Sequence, residues 1–214
     1  SADGAYGQGL GECYTDLQTA VSEAEEGETV WVQDGFVCNG GSSLGNSQLS
    51  RIVVTSKILI RSESGYVDEA NGKGATIRGS RNPEDYFILD DDTVEPVPRE
   101  WITHEAWTLE QSCSLDNFTR YPASRWNNGL IRLLGAEDAA IVGEKGSVID
   151  GCNPFDPIGE EFYRGPQGIS AINCKRLVLK GYAIRQTGNW AHRIADTTDL
   201  LVENVTCEAG HDGV

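Results

Sequence analysis

Lys175-Arg-Leu-Val-Leu-Lys-Gly-Tyr-Ala-Ile184 and Thr198-Asp-Leu-Leu-Val-Glu-Asn-Val-Thr-Cys207 are two copies of one pattern. Their first residues lie 23 positions apart (198 − 175 = 23), with apolar, polar and turn-forming residues in the same order. An earlier copy, Glu137-Asp-Ala-Ala-Ile-Val-Gly143 followed by Ser147-Val-Ile-Asp150, fits with a few extra residues in its turn. A unit of this length holds two or three short strands and no helix, so it cannot bury its apolar face alone. It has to stack on its neighbours. That predicts an all-β solenoid with regular rungs over 129–214 and with Leu177 and Leu200 stacked inside. A β-sandwich is the alternative, although its strands need no matched identities from repeat to repeat.

Working outward, Arg51-Ile-Val-Val-Thr55, Ile58-Leu-Ile-Arg61 and Ala75-Thr-Ile-Arg78 are further short β-rich runs set between Gly, Asn, Ser and Asp. Before them, Thr15-Asp-Leu-Gln-Thr-Ala-Val-Ser-Glu-Ala24 places Leu17, Ala20, Val21 and Ala24 at helical spacing behind a Thr/Asp cap. Gly27 ends that helix and Thr29-Val-Trp-Val32 reads as a strand, which together make a cap over 13–32. Residues 81–128 break the pattern and read as an insertion, with Asp90, Asp91 and Asp92, then Pro96 and Pro98, and with Trp101, Trp107 and Trp126. Insertions in solenoids loop out over one face, often the binding face. The tryptophans either pack that loop or offer flat apolar area to sugar rings.

The 214 residues suit one domain or one large piece of a longer repetitive domain. A net charge of −16 argues against nucleic acid and anionic membrane surfaces as partners. No stretch approaches the ~20 apolar residues of a membrane-spanning helix. The sequence holds no methionine, so Ser1 is not a translated start. Six cysteines (13, 38, 113, 152, 174 and 207) lack C-x-x-C spacing, which disfavours a zinc ribbon. No metal or cofactor is expected. The even cysteine count, the acidic surface and two N-x-T acceptor patterns at Asn117 and Asn204 point to a secreted or cell-surface protein. Cys13 and Cys38 flank the cap helix and first strand. A bridge between them would close a loop of 25 residues (38 − 13) and contribute about 3 kcal/mol.

Gly146-Ser-Val-Ile-Asp-Gly151, Arg164-Gly-Pro166, Ile172-Asn-Cys-Lys-Arg-Leu-Val-Leu-Lys-Gly181 and Gly188-Asn-Trp-Ala-His192, taken with the cap, resemble the polygalacturonase family, glycoside hydrolase family 28. The resemblance covers about two thirds of the chain and excludes the insertion. It implies a right-handed parallel β-helix of the pectin-lyase-like kind with an N-terminal capping helix. In that family an N-T-D-G turn delivers the first catalytic carboxylate. The matching positions here are Gly210-His211-Asp212-Gly213, which keep the aspartate and glycine and replace the Asn-Thr pair. The family's remaining D-D, G-H-G and R-I-K motifs lie on rungs after this turn, so the chain is expected to be the N-terminal part of a longer coil.

The implied chemistry is inverting hydrolysis of a polysaccharide, probed by what each residue type can do. One carboxylic acid protonates the leaving oxygen and a carboxylate ~6.5–9.5 Å away activates water. Asp212 is the expected base, with His211 orienting it or touching the sugar. His192, Trp190, Asn189, Arg193 and Arg164 are the expected substrate contacts. Trp190 offers a stacking face, and the two arginines offer forked guanidinium donors to a uronate carboxylate. Asp150 reads as a turn former, and Asn173 and Asn204 as corner residues in left-handed backbone. The strong negative charge opposes an anionic glycan at long range, which keeps neutral or mixed-sugar glycans open. Two other functions stay open as well. One is a Ca²⁺-dependent polysaccharide lyase on the same fold, for which Asp90, Asp91 and Asp92 are the tight acidic run. The other is a non-catalytic carbohydrate-binding or adhesin coil.

Overall fold

Most of the strands are three or four residues long with one central inward residue. The repeating burial pattern is half-exposed, buried, half-exposed, as at Ala140–Val142, Val178–Lys180 and Ala183–Arg185. Such a strand supplies one apolar side chain to an interior and two to a surface, so the interior has to be assembled from many short strands. The computed structural model describes residues 14, 17–32, 37–38, 52–62, 74–82, 129–144, 146–156 and 164–208. Nearly all of the 81–128 insertion, with its acidic run and three tryptophans, lies outside them, as do Cys13, His211 and Asp212.

Within the described residues there is one helix, α1 (Leu17–Glu23), and fourteen strands take part in three sheets. The strands are β1 (Thr29–Val32), β2 (Val37–Cys38), β3 (Ile52–Val54), β4 (Leu59–Ser62), β5 (Thr76–Arg78), β6 (Gly129–Leu134) and β7 (Ala140–Val142). They continue with β8 (Val148–Asp150), β9 (Gln167–Ile172), β10 (Val178–Lys180), β11 (Ala183–Arg185), β12 (His192–Ala195), β13 (Leu201–Glu203) and β14 (Thr206–Glu208). The first sheet runs β1-β4-β7-β10-β13, the second β12-β9-β6-β3 and the third β14-β11-β8-β5-β2. Every pairing between these strands is parallel, and one isolated bridge, Phe155 with Arg164, is antiparallel. The chain therefore visits the second, first and third sheets in the same order on each circuit. The mostly β, parallel character expected from the repeat is present.

The repeat offset is also the pairing register. Ile169 pairs with His192, Val178 with Leu201 and Ala183 with Thr206, each 23 residues apart. The preceding circuit pairs Ala140 with Val178 at 38 (178 − 140) and Val148 with Ala183 at 35 (183 − 148). The turn around Gly143–Ser147 absorbs that difference.

Register of this kind stacks like on like. Val30, Ile60, Ile141, Leu179 and Val202 form one row, and Ile77, Ile149, Ile184 and Cys207 a second. Ile52, Ile131, Ile169 and His192 form a third. Each fully buried isoleucine or leucine contributes about 1.5–3 kcal/mol.

The corners between strands use residues that tolerate left-handed backbone. Gly135, Asn173 and Asp196 occupy one corner with φ of 62°, 54° and 47°, and Asp138, Arg176 and Asp199 the next with 54°, 54° and 55°. Asn204, at φ 52°, takes the place that Gly181 holds one circuit earlier. Both asparagines thus sit where the sequence predicts. Gly181 has a second constraint, because a Cβ there would lie 2.3 Å from the Gly143 carbonyl oxygen.

Helix α1 buries Leu17, Gln18 and Val21 and packs against β3 and β1. It covers the end of the second sheet, where no strand precedes β3 among the described residues. At the opposite end, one expectation has to be corrected. Leu177 is fully buried, but Leu200 is 39% exposed, together with Leu201 and Val202. Leu200 lies at the equivalent corner with the same backbone bonding (Arg176 N–H to Thr198 O, Leu201 N–H to Leu177 O). It differs in having packed strands on one side only, because β13 and β14 are edge strands among the described residues.

Candidate functional site

The connection from the third sheet to the second carries most of the polar residues singled out in the sequence. Residues 151–166 lead from β8 to β9, and residues 186–191 lead from β11 to β12 directly beside them. Gly165 N–H donates to Gly188 O (2.9 Å), Asn189 N–H to Pro166 O (3.1 Å) and Gly168 N–H to Trp190 O (3.0 Å). The close approach needs glycine, since a Cβ on Gly188 would meet Gly165 Cα at 2.8 Å.

Asn189 is the hub of this corner. Its side-chain oxygen accepts from Arg164 Nη1 (3.3 Å) and from the Trp190 backbone N–H (2.9 Å), while its carbonyl accepts from Thr187 Oγ1 (2.6 Å). The buried amide thereby fixes the Arg164 guanidinium over the turn. Trp190 is half-buried, and its indole Nε1 is enclosed with no hydrogen-bond partner. Arg164 and Trp190 are the two expected contact residues here that solvent reaches; Asn189 is buried.

Two other expected contacts point elsewhere. Arg193 pairs in register with Ser170, which pairs with Arg132, so the three share the face of the second sheet opposite the isoleucine row. All three are buried. His192 is buried, 1% exposed, in the position Ile169 holds one circuit earlier. Its Nε2 lies 2.9 Å from Tyr182 OH and its Nδ1 lies 3.9 Å from Cys207 Sγ. A glycan in solvent touches neither His192 nor Arg193 in this state. Asp212 and His211, the expected catalytic pair, lie outside the described residues.

Asp150 behaves as the turn former the sequence predicts, because its Oδ1 accepts from Cys152 N–H (3.0 Å). Its Oδ2 also accepts from Arg185 Nε and Nη2 at 3.2 and 3.1 Å, a pairing that sequence reasoning missed. The register shows its origin: Arg78, Asp150, Arg185 and Glu208 form one outward row of alternating charge. On the first sheet, Lys180 and Glu203 likewise pair in register at 3.1 Å, and Arg61 lies 5.4 Å from the centre of the Trp31 ring. Burial pushes the Cys152 thiol above its ordinary value, and neighbouring Asp150 adds to that. Among the described residues no cluster of three His, Cys, Asp or Glu side chains is arranged to hold a metal ion.

The second missed arrangement, Tyr182–His192–Cys207, had a signal in the repeat. Aligned at 23 residues, His192 and Cys207 both stand where the previous circuit has isoleucine. Comparison with known proteins adds nothing to this picture, as no family model, curated protein or solved structure matches the chain.

Proposed function

We propose that the three sheets are the faces of a right-handed parallel β-helix, and that the protein is a secreted glycoside hydrolase acting on a pectin-like or other plant or microbial polysaccharide. The observation that carries this reading is the 23-residue register that the last two described circuits share in all three sheets. Sequence positions one repeat on from the polar corner are 211 for Gly188 and 212 for Asn189 (188 + 23 and 189 + 23), which are His211 and Asp212. By repeat count the Asp212-Gly213 pair of the family resemblance thus aligns in sequence with Asn189-Trp190. Right-handedness follows the general rule for crossovers between parallel strands.

In this reading Asp212 acts as general base on water, and its partner acid protonates the leaving oxygen from ~6.5–9.5 Å away. Strands of adjacent circuits lie ~4.8 Å apart, so acids on neighbouring turns reach such separations. Arg164 and Trp190 hold the sugar, one by hydrogen bonds and the other by its ring face. Non-catalytic glycan binding is the second reading. It is favoured by one observation: Asp150 and Asp156, the described acids of this corner, are both buried.

Incubation with a panel of neutral and uronate-containing glycans separates the readings. Release of reducing ends without ultraviolet absorbance from unsaturated products is the expected result. Reducing ends together with that absorbance would mean a lyase. Binding with neither product would give the second reading first place.

A further inference from the structure

Where the chain passes from the first sheet to the third, the residues at the corner become small. Val32 pairs with Ser62 at the end of the first sheet, and Gly143 follows Val142 in the same register. At the start of the third sheet, Ala75, Ser147 and Tyr182 precede the paired Thr76, Val148 and Ala183. Tyr182 is the one large side chain among these six, and it belongs to the latest of the circuits. The earlier circuits cannot close up around serine, glycine and alanine, because backbone hydrogen bonds hold neighbouring strands ~4.8 Å apart. Val148 N–H donates to Ala75 O at 2.9 Å and Ala183 N–H to Ser147 O at 3.0 Å. The missing side-chain volume is left as space.

A cavity of about 30 Å³ lies at this corner, walled by Ile60, Ile77, Ile141 and Ile149 with Ala75 and Tyr182. One water needs only about 10–15 Å³, so the space is large enough to hold something. The four isoleucines are buried and come from the inward rows of the first and third sheets. The polar side chains at the edge of the cavity face the turn. Ser62 Oγ and Ser147 Oγ both accept from the Glu144 backbone N–H, at 2.8 and 3.0 Å. Arg61 Nη2 donates to Glu144 Oε1 at 2.9 Å, and Arg61 Nε is enclosed with no hydrogen-bond partner among the described residues. One such donor is short of the two to four partners that fix a buried water.

We propose that this corner cavity is a binding site for one small apolar molecule, of the size of a noble-gas atom or a one- or two-carbon hydrocarbon. Such a guest restores dispersion contacts that the walls lack and strips water from no polar group. Xenon is the probe, since dry cavities with aliphatic walls take it up. The folded full chain, labelled at its isoleucine methyl groups, is titrated with xenon under pressure and read by NMR. Ile60, Ile77, Ile141 and Ile149 should shift together and saturate with one common affinity. Ile131 and Ile169, buried in the second sheet and not part of the wall, should shift several-fold less.

Two variants locate the guest by changing the volume of its site. Ala75→Val places two methyl groups in the cavity and should reduce the xenon shifts of the four wall isoleucines several-fold. Ile141→Val removes one methyl group from the wall and should keep or enlarge the shifts of Ile60, Ile77 and Ile149. If Ala75→Val does not fold, Ile141→Val decides, and smaller shifts there would count against the site. Wall isoleucines that respond no more than Ile131 and Ile169, or equally in Ala75→Val and the unsubstituted protein, would overturn the proposal. So would a long-lived water, held by Arg61 Nε and a serine hydroxyl, that xenon does not displace.

Discussion

The circuit formed by β9, β10 and β11 and the one formed by β12, β13 and β14 share register, strand directions and left-handed corners, yet their interiors differ. In the first, Ile169, Leu177, Leu179 and Ile184 are all fully buried. In the second, the equivalent residues are His192, Leu200, Val202 and Cys207, and Leu200 and Val202 are 39% and 40% exposed. Backbone geometry is set by a strand's pairing with one neighbour, whereas burial requires neighbours on both sides. Among the described residues the last circuit therefore keeps the register of the one before it while holding His192 and Cys207 where that circuit has isoleucine.

The sharpest test of this difference is a pair of truncations. Leu177→Ala should lower stability by about 2–5 kcal/mol, the range for a buried leucine. Leu200→Ala should cost less than about 1 kcal/mol, as partly exposed positions usually do. Urea denaturation reads both, and equal losses would break the comparison. The corners give a smaller contrast. Gly181→Ala combines positive φ with a clash on the Gly143 carbonyl, so a loss of about 2 kcal/mol or more is expected. Gly135→Ala, at φ 62° with open space around it, should lose only the left-handed penalty of about 1 kcal/mol.

Next in size is Asp150→Ala, which removes an acceptor from Cys152 N–H and from Arg185 at a buried position. A loss of about 1–2 kcal/mol is expected, less than for Leu177→Ala because half-buried Arg185 regains water. The smallest effect concerns the outward turns. Arg176 Nη2 donates to Asp138 Oδ2 (2.9 Å) and Glu137 Oε2 (3.0 Å), and this guanidinium holds the Asp138 carboxyl below its ordinary value. A depressed folded value means that the pairing stabilises above the unfolded carboxylate range and is lost as pH falls through the folded value. Carboxyl NMR titration should show Asp138 moving up towards its ordinary value in Arg176→Gln. No movement would remove the pairing from the account.

Much of the architecture was legible because a repeat leaves its register in the sequence. The 23-residue offset between Lys175 and Thr198 is the offset of the last pairing in each of the three sheets, and Asn173 and Asn204 mark corners through their backbone tolerance. Leu200 was misread because a repeat specifies equivalent positions and not how many neighbours each will have. The candidate site was legible in part. Arg164, Asn189 and Trp190 do meet, since their motifs flank adjacent strands. His192 and Arg193 do not join them, because strand alternation sends the first inward and the second to the opposite face, and a motif read as a string carries no facing. The Asp150–Arg185 pair was hidden for a related reason, as its members are 35 residues apart (185 − 150) and become neighbours only through the register.

The proposed hydrolase stands or falls most directly on Asp212. The Asp212→Asn protein should keep the melting temperature of the unsubstituted chain and lose about 10²-fold or more of its rate of reducing-end release, the scale of a missing general base. Full activity in Asp212→Asn, on a glycan that the unsubstituted protein cleaves, would contradict the assignment.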